Sequence, residues 1–203
     1  MNPENQSNKL ASVKSICIGL PIASVIIIYA ARMWELGTKR STIPGSVPEK
    51  LTLRLFILAG TVMLVSIVAE FFWRGESLRW ATFLAGWGCA LVSFRIRRQA
   101  MAALGPYWSL HVEIREHHPL IKAGPFRWMR HPTYFSMLLE LVSGGLILNA
   151  FYSLLIIPVL FVPVLLARLK LEEAALVDKF GEAYRAYQRT TPALFPYKWP
   201  PSR

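Results

Sequence analysis

Residues 132–167 read PTYFSMLLELVSGGLILNAFYSLLIIPVLFVPVLLA, a run of 36 residues in which Glu140 is the only charged side chain. A helix rises about 1.5 Å per residue and the hydrocarbon core of a bilayer is about 30 Å thick, so about 20 residues complete one crossing. The run is too long for one crossing, and its only polar breaks, Gly144-Gly145 and residues 149–153, lie near its middle. It therefore predicts a tight helical hairpin that crosses a membrane twice.

Three shorter apolar runs precede the hairpin, and among their residues only Glu70 is charged. They contain 17, 19 and 15 residues and cover 15–31, 55–73 and 80–94. The chain as a whole is 54% hydrophobic and only 17% charged, a balance typical of membrane proteins. We therefore predict an all-α fold, an integral membrane bundle of five transmembrane helices whose last two form the hairpin.

The basic residues are distributed very unevenly between the two sides of such a bundle. With five crossings, one side holds 19 of the 23 Lys and Arg residues, in segments 32–54, 95–130 and 168–203. Cytosolic loops carry this excess, which predicts an N-terminus outside and a C-terminus in the cytosol. The net charge of +11 then indicates contact with the anionic headgroups of the lipid bilayer rather than with nucleic acid.

The chain divides into two regions in this interpretation. Residues 1–94 form three transmembrane helices, although the first run, with Tyr29-Ala30-Ala31, also resembles a signal peptide. Residues 95–203 contain a polar segment of about 40 residues, the hairpin and a cytosolic C-terminal helix. A connection of that length is uncommon unless it is functional. Apolar and aromatic residues at helical spacing predict that last helix: Leu169, Leu176, Phe180, Tyr184 and Tyr187.

Ionisable residues lie at the first end of the hairpin. Pro132 suits the first turn of a helix, so Arg130 and His131 would lie beside unpaired backbone N–H groups and the positive end of the helix dipole. Such a position can bind an anion such as a carboxylate. The same residues could instead only anchor the helix among lipid headgroups.

The other end of the hairpin carries Arg168, Glu172 and Glu173. Arg168 and Glu172 are four residues apart on one helical face, which a salt-bridged helix end would also show. A hairpin would bring these groups beside Arg130 and Tyr134. Acid and base could then bind a zwitterionic or cationic small molecule between them.

Other groups are ambiguous on the sequence alone. Glu140 is an intramembrane carboxylate and so a functional candidate, or else a partner for an arginine among residues 95–98. Gly124-Pro125 predicts a turn where backbone could approach a ligand, or a plain connector. Cys17 and Cys89 have no partners at metal-ligand spacing, so no metal site is predicted.

Several of these residues resemble a known family. Residues 120–127 (LIKAGPFR) and 130–134 (RHPTY) are similar to the C-terminal half of isoprenylcysteine carboxyl methyltransferases and of related phospholipid N-methyltransferases. Arg168, Glu172-Glu173 and Phe195-Pro196 continue the pattern, which covers about half of the chain. One departure is Ser136, which stands where the family usually has glycine.

The resemblance implies an enzyme that uses S-adenosylmethionine and releases S-adenosylhomocysteine. Its site residues would be Arg168 and Glu172 for catalysis and, for the cofactor, Leu120, Gly124, Pro125, Arg130, His131, Tyr134, Glu172 and Glu173. A lipophilic or lipidated acceptor would be methylated at a carboxylate, with a phospholipid amine or a small thiol as alternatives. A non-enzymatic membrane protein and a sterol-type reductase are further alternatives, and the oligomeric state is left open.

Overall fold

The structure is a computed structural model that describes residues 3–37, 51–75, 78–108 and 119–198. Across these residues the regular elements are all helical, which confirms the all-α class. Two 3₁₀ turns, at Gly105–Tyr107 and Gly124–Arg127, accompany six α-helices. Those helices are α1 (Pro3–Gly37), α2 (Leu51–Arg74), α3 (Trp80–Leu104), α4 (Pro132–Ile147), α5 (Phe151–Phe180) and α6 (Glu182–Thr190).

In the described part of the chain, three helices contain segments long and apolar enough to cross a membrane: Ser15–Glu35 within α1, Leu51–Arg74 and Phe151–Phe180. Large apolar side chains on them are exposed, among them Ile26, Leu58 and Val159. An outward apolar surface of this kind suits lipid rather than water, as expected of an integral membrane protein. Helix α4 has only 16 residues and α3 carries arginines, so the count of five crossings stays a prediction.

The hairpin is formed by α4 and α5, which are joined by a short turn at residues 148–150. Asn149 adopts a positive φ of 54°, a conformation that asparagine tolerates better than most residues. Gly145 allows the two helices to approach, because a Cβ there would lie 2.4 Å from Leu154 Cδ2. The turn therefore falls within the polar break predicted from the sequence, although Gly144 and Gly145 still belong to α4.

Helix α2 holds the start of α5. The Glu70 carboxylate accepts hydrogen bonds from the backbone N–H groups of Tyr152 and Ser153, at 3.0 and 2.7 Å. These are first-turn donors that have no partner within their own helix. Arg74 lies 3.5 Å from the same carboxylate. Glu70 therefore has a structural task at the closed end of the hairpin.

Helix α3 is longer than the third apolar run, because it continues past residue 94 to Leu104. Arg97 lies in this extension with only 1% of its surface exposed. Its guanidinium donates to Glu35 of α1 at 2.6 Å and to Glu140 of α4 at 2.8 Å. The two carboxylates therefore neutralise a buried arginine of this extension. The boundary predicted between residues 94 and 95 consequently lies inside α3.

The polar segment predicted between the third run and the hairpin is shorter than 40 residues in the structure. Its first part is the end of α3, and its last part contains the 3₁₀ turn Gly124–Arg127. Residues 109–118, in its middle, lie outside the described residues.

Helices α3 and α4 pack closely along their length. A Cβ on Gly86 would lie 2.6 Å from Ile147 Cγ1 and 2.9 Å from the Ser143 carbonyl oxygen. Further along, the Ser93 hydroxyl donates to the carbonyl oxygen of Ser136 at 2.8 Å. Ser136, the residue that departs from the family pattern, therefore lies at the contact between α3 and α4. This packing fixes α4, and with it the residues at its first turn.

Candidate functional site

The two open ends of the hairpin meet. Tyr134, in the first turn of α4, donates its hydroxyl hydrogen to Glu172 Oε2 of α5 at 2.7 Å. Arg168, one turn before Glu172, donates from Nε to the oxygen of the same hydroxyl at 3.0 Å. The His131 ring stacks on the Tyr134 ring with centroids 5.7 Å apart, and its Nδ1 lies 3.7 Å from Glu172 Oε1. The sequence predicted that these groups are close, and the structure brings them together.

A second cluster ties the same helix ends to the C-terminal segment. Arg130 contacts Glu173 through both Nε and Nη2, each at 2.7 Å. Its Nη1 donates to the carbonyl oxygens of Gln188 and Thr191. His131 Nε2 lies 3.0 Å from Glu173 Oε1, and Gln188 donates to Oε2 of that carboxylate at 3.0 Å. Glu173 is therefore surrounded by donors, and most of the hydrogen-bonding capacity of Arg130 is already used.

The backbone before α4 is also fixed by this C-terminal segment. The N–H groups of Arg130 and His131 donate to the carbonyl oxygens of Pro192 and Ala193, each at 2.9 Å. Pro132 then begins α4 at a position where a missing N–H costs nothing, as the sequence predicted. The first turn of α4 is thus held on one side by α5 and on the other by the residues after α6.

Four of these groups, Arg130, His131, Tyr134 and Glu172, line one cavity, whose volume of about 950 Å³ includes open solvent at its mouth. Polar and apolar residues of α1, α3, α4, α5 and α6 line it, together with the segments that connect α3 to α4. The lining residues are Arg32, Arg97, Leu104, Trp108, Pro119, Leu120, Ile121, Phe126, Arg130, His131, Thr133, Tyr134, Met137, Glu172, Leu176, Phe180, Tyr184 and Tyr187.

Some predicted site residues line this cavity and others do not. Gly124 has a positive φ of 59°, and a Cβ there would lie 3.7 Å from Ala103 Cβ of α3. The predicted turn therefore exists, and it rests on α3. Five of the residues predicted for the site line the cavity: Leu120, Arg130, His131, Tyr134 and Glu172. The other four are absent from the lining: Gly124, Pro125, Arg168 and Glu173.

The position of Arg168 bears directly on its predicted catalytic role. Its side chain is buried, and it donates to the Tyr134 hydroxyl and to the Thr52 hydroxyl of α2. Arg168 can therefore hold Tyr134, and through it Glu172, in one orientation. Direct contact with a molecule in the cavity would require the guanidinium to move, so its catalytic role stays a prediction.

Helix α6 contributes two buried tyrosines that the sequence analysis did not assign to the site. The Tyr187 hydroxyl donates to the Phe126 carbonyl oxygen, while the Tyr184 hydroxyl has no hydrogen-bond partner among the residues that the structure describes. Burial raises the pKa of both phenols well above the ordinary range, so both stay neutral. Their spacing of three residues, beside Phe180, was a visible signal, because it puts the rings on one face of an amphipathic helix.

Two arginines of the lining, Arg32 and Arg97, were also missed. The sequence indicates Arg97 only as one possible partner for Glu140, and that contact exists at 2.8 Å. Arg32 follows the first apolar run, where the charge pattern predicts only a loop cation. Within the parts of the chain that the structure describes, no group of three or more His, Cys, Asp or Glu residues is arranged to hold a metal ion.

The fold and the cavity define a class: an integral membrane helical protein with a pocket of polar and apolar side chains where the ends of a helical hairpin meet. Residues 86–178, which contain the hairpin, match the isoprenylcysteine carboxyl methyltransferase (ICMT) family. This match confirms the resemblance found in the sequence, and the chain carries the sequence pattern of that family across these residues.

The chain is also similar to curated proteins. The chain is 29% identical over 83 residues to the uncharacterized protein YpbQ of Bacillus subtilis, covering 41% of this chain and 49% of YpbQ. It is 28% identical over 103 residues to protein-S-isoprenylcysteine O-methyltransferase of Schizosaccharomyces pombe, covering 50% of this chain and 44% of that protein. The matched region thus spans about half the length of these relatives.

A solved structure shares the fold. The eukaryotic intramembrane Ras methyltransferase ICMT aligns with a TM-score of 0.60 and 22% sequence identity. The alignment covers 68% of this chain and 53% of the ICMT chain. At this identity the likeness concerns the fold alone, and that fold is a membrane helical bundle.

Proposed function

We propose that this protein is a membrane methyltransferase that moves a methyl group from S-adenosylmethionine to a lipophilic acceptor, most simply to a carboxylate. One observation carries the proposal: both ends of the hairpin contribute side chains to one cavity, within the region that matches the ICMT family. The relative from Schizosaccharomyces pombe is named as a methyltransferase of protein S-isoprenylcysteine, which supports an acceptor with an isoprenoid chain and a carboxylate.

The side chains around the cavity fit S-adenosylmethionine. The methionyl part of that molecule is zwitterionic, so it needs a carboxylate partner and a cationic or N–H partner, which Glu172 and the nearby basic groups offer. The adenosine part needs aromatic or apolar surface and polar groups that can donate or accept, and Phe126, Tyr184 and Tyr187 offer both. The Tyr184 hydroxyl, which is buried without a partner in the described part of the chain, is a group that such a ligand would satisfy.

When bound, S-adenosylmethionine supplies a methyl group activated by its sulfonium: a carboxylate lone pair forms the new O–C bond while the C–S electron pair stays on sulfur. A carboxylate acceptor therefore needs no general base, whereas a protonated amine would first have to lose a proton. The contribution of the protein is to align the reactants and exclude water, and alignment of this kind can supply about 7–11 kcal/mol.

The residues at the hairpin ends have different tasks in this proposal. Glu172 and Tyr134 would bind the cofactor, and for an amine acceptor Glu172 would be the candidate base. Arg168 would orient Tyr134 and Glu172 from behind, because it donates to the Tyr134 hydroxyl at 3.0 Å.

Arg130 and Glu173 would have a supporting task. Both bond to Gln188 at the end of α6, through its carbonyl oxygen and its side-chain amide respectively. They would therefore keep the first turn of α4 attached to α6, so that the walls of the cavity stay together.

The acceptor would enter from the bilayer. Leu104, Leu120, Met137 and Leu176 line the cavity and offer an apolar surface to a lipid chain. We propose five crossings, with the N-terminus outside and with the C-terminus, α6 and the cavity at the cytosolic face, as the excess of basic residues on one side predicts.

The proposal is tested with purified protein, labelled S-adenosylmethionine and a lipid extract of the host membrane. An ester product releases labelled methanol in alkali, which supports a carboxylate acceptor, while alkali-stable label indicates N- or S-methylation. Calorimetric titration with S-adenosylhomocysteine measures the cofactor site separately. If the purified protein neither binds S-adenosylhomocysteine nor transfers label, the proposed function is wrong.

A further inference from the structure

Three arginines line the cavity, and they differ in how many of their N–H groups are already bonded. Arg130 donates to Glu173 through two nitrogens and to two backbone carbonyl oxygens through the third. An anion in the cavity would therefore find little hydrogen-bonding capacity left on Arg130. The other two arginines, Arg32 on α1 and Arg97 on α3, have fewer of their N–H groups bonded.

Arg97 is bonded on two of its three nitrogens. Nε donates to Glu35 at 2.6 Å and Nη1 donates to Glu140 at 2.8 Å, but the buried Nη2 has no hydrogen-bond partner within the described ranges. The Glu35 and Glu140 contacts fix the guanidinium in place. Arg97 thus presents an oriented donor that these helices do not use, in a side chain that is almost wholly buried.

Arg32 is held more loosely than Arg97. Its ion pairs, Nη1 to Glu35 and Nε to Glu140, measure 4.0 and 3.9 Å, which is longer than a hydrogen bond. Its Nη1 is buried without a hydrogen-bond partner in the residues that the structure describes, and the residue as a whole is 7% exposed. A buried guanidinium with long contacts and an unused donor can take a further partner more easily than one that is already saturated.

We propose that Arg32 and Arg97 form a carboxylate-binding subsite in the same cavity as Glu172. Paired N–H groups of a guanidinium match the two oxygens of a carboxylate, and burial strengthens such a contact. The inference rests on the proposed function and deepens it, because it assigns a binding group to the first helix. Arg97 lies inside residues 86–178 and Arg32 outside them, so the subsite joins the first helix to the region that matches the family.

Two carboxylates could occupy this subsite: that of the acceptor and the methionyl carboxylate of the cofactor. The subsite favours the acceptor, because α1 lies outside the hairpin ends that surround Glu172 and Tyr134. Arg168, the group predicted from the sequence for this task, is absent from the lining and already donates to Tyr134 and Thr52.

The test compares two probes that differ only in charge at one end, N-acetylated S-farnesylcysteine and its carboxamide. Binding of each is measured on the purified full chain, and S-adenosylhomocysteine is titrated separately. The variants are Arg32→Met, which removes the guanidinium but keeps much of the side-chain length, and Arg32→Lys, which keeps the charge. Arg74→Met is the matched control, since Arg74 pairs with Glu70 and is absent from the lining.

The wild-type protein and Arg74→Met should bind the acid about tenfold or more tightly than the carboxamide. In Arg32→Met that ratio should fall to about one, and in Arg32→Lys to an intermediate value, with S-adenosylhomocysteine affinity unchanged. If S-adenosylhomocysteine affinity falls instead and the ratio is kept, the assignment to the acceptor is overturned, because the subsite then binds the cofactor's carboxylate.

The subsite is also overturned if Arg32→Met keeps the wild-type values of two quantities. These are the ratio of acid affinity to carboxamide affinity and the affinity for S-adenosylhomocysteine. The subsite is likewise overturned if the only change in Arg32→Met is a lower melting temperature, because Arg32 then serves only to hold α1 against the other helices. Failure of the proposed function gives a different result: the wild-type protein would bind no S-adenosylhomocysteine, while a preference for the acid that depends on Arg32 could still be measured.

Discussion

The Tyr134 hydroxyl donates to Glu172, 38 residues further along the chain, while it accepts a hydrogen bond from Arg168. One phenol oxygen thereby links a carboxylate that faces the cavity to a guanidinium buried behind it. The other oxygen of Glu172, Oε1, lies 3.7 Å from Nδ1 of His131, which is longer than a hydrogen bond. The orientation of Glu172 in the cavity therefore depends mainly on its link to Tyr134.

Replacing Tyr134 with phenylalanine should remove this link while keeping the ring. We expect Tyr134→Phe to weaken S-adenosylhomocysteine binding about tenfold and to destabilise the fold by about 1–3 kcal/mol, since buried partners lose a hydrogen bond. Calorimetric titration and thermal unfolding in detergent measure the two effects. Tyr152→Phe is the control, because Tyr152 is 58% exposed. Equal affinities in Tyr134→Phe and Tyr152→Phe would contradict the prediction.

The neighbouring carboxylates Glu172 and Glu173 should respond differently to the same substitution. Glu172 lines the cavity, so Glu172→Gln should lower S-adenosylhomocysteine affinity about tenfold or more with little change in melting temperature. Glu173 is bonded to Arg130, His131 and Gln188, so Glu173→Gln should destabilise the protein by about 3 kcal/mol. Calorimetric titration and thermal unfolding of both variants check this prediction. The reverse pattern would mean that the two acids have exchanged roles.

The contact between α3 and α4 offers a matched pair of glycines. Gly86→Ala would put a methyl group 2.9 Å from the Ser143 carbonyl oxygen, which is backbone and cannot move aside easily. We expect a loss of about 1–3 kcal/mol, as for other overpacked contacts. Gly88→Ala meets nothing within 4 Å in the described part of the chain and should be neutral or slightly stabilising. Thermal unfolding that does not distinguish Gly86→Ala from Gly88→Ala would show that the helices are not packed this closely.

The sequence predicted the features of the fold and site that depend on neighbouring residues. A long apolar run with a polar break predicts a hairpin, and Pro132 predicts where α4 begins. The hairpin in turn predicts that Tyr134 and Glu172 are close, because its two ends must meet.

Features that depend on distant partners do not follow from the local sequence pattern. Arg97 is buried on α3 beyond residue 94, and its partners Glu35 and Glu140 lie far away in the sequence. The position of Arg168 in the sequence predicts that it lies at the second end of the hairpin. The direction of its side chain depends on Thr52 of α2, which the sequence does not reveal. No pattern within one segment reveals such contacts, because the partners come from separate helices.

The two buried phenols of α6 should make the protein sensitive to alkali. Burial raises the pKa of Tyr184 and of Tyr187 above their ordinary value of about 10, so they stay protonated in the folded state. The unfolded chain loses these protons as pH rises through about 10, and it then binds fewer protons than the folded chain. The stability that the phenols contribute is therefore complete below a pH of about 10 and is lost progressively above it.

Phenylalanine substitutions at Tyr184 and Tyr187 test this pH dependence. At neutral pH, Tyr184→Phe should be nearly neutral because its hydroxyl has no hydrogen-bond partner among the described residues, whereas Tyr187→Phe should cost about 1 kcal/mol because the Phe126 carbonyl oxygen loses its donor. Above a pH of about 10 each variant should lose stability less steeply than wild type, since it has one buried phenol fewer. Melting temperatures measured from about pH 7 to about pH 11 give the slope of stability against pH for each variant. If both variants lose stability above a pH of about 10 as steeply as wild type, the buried phenols are not the cause of the alkaline sensitivity.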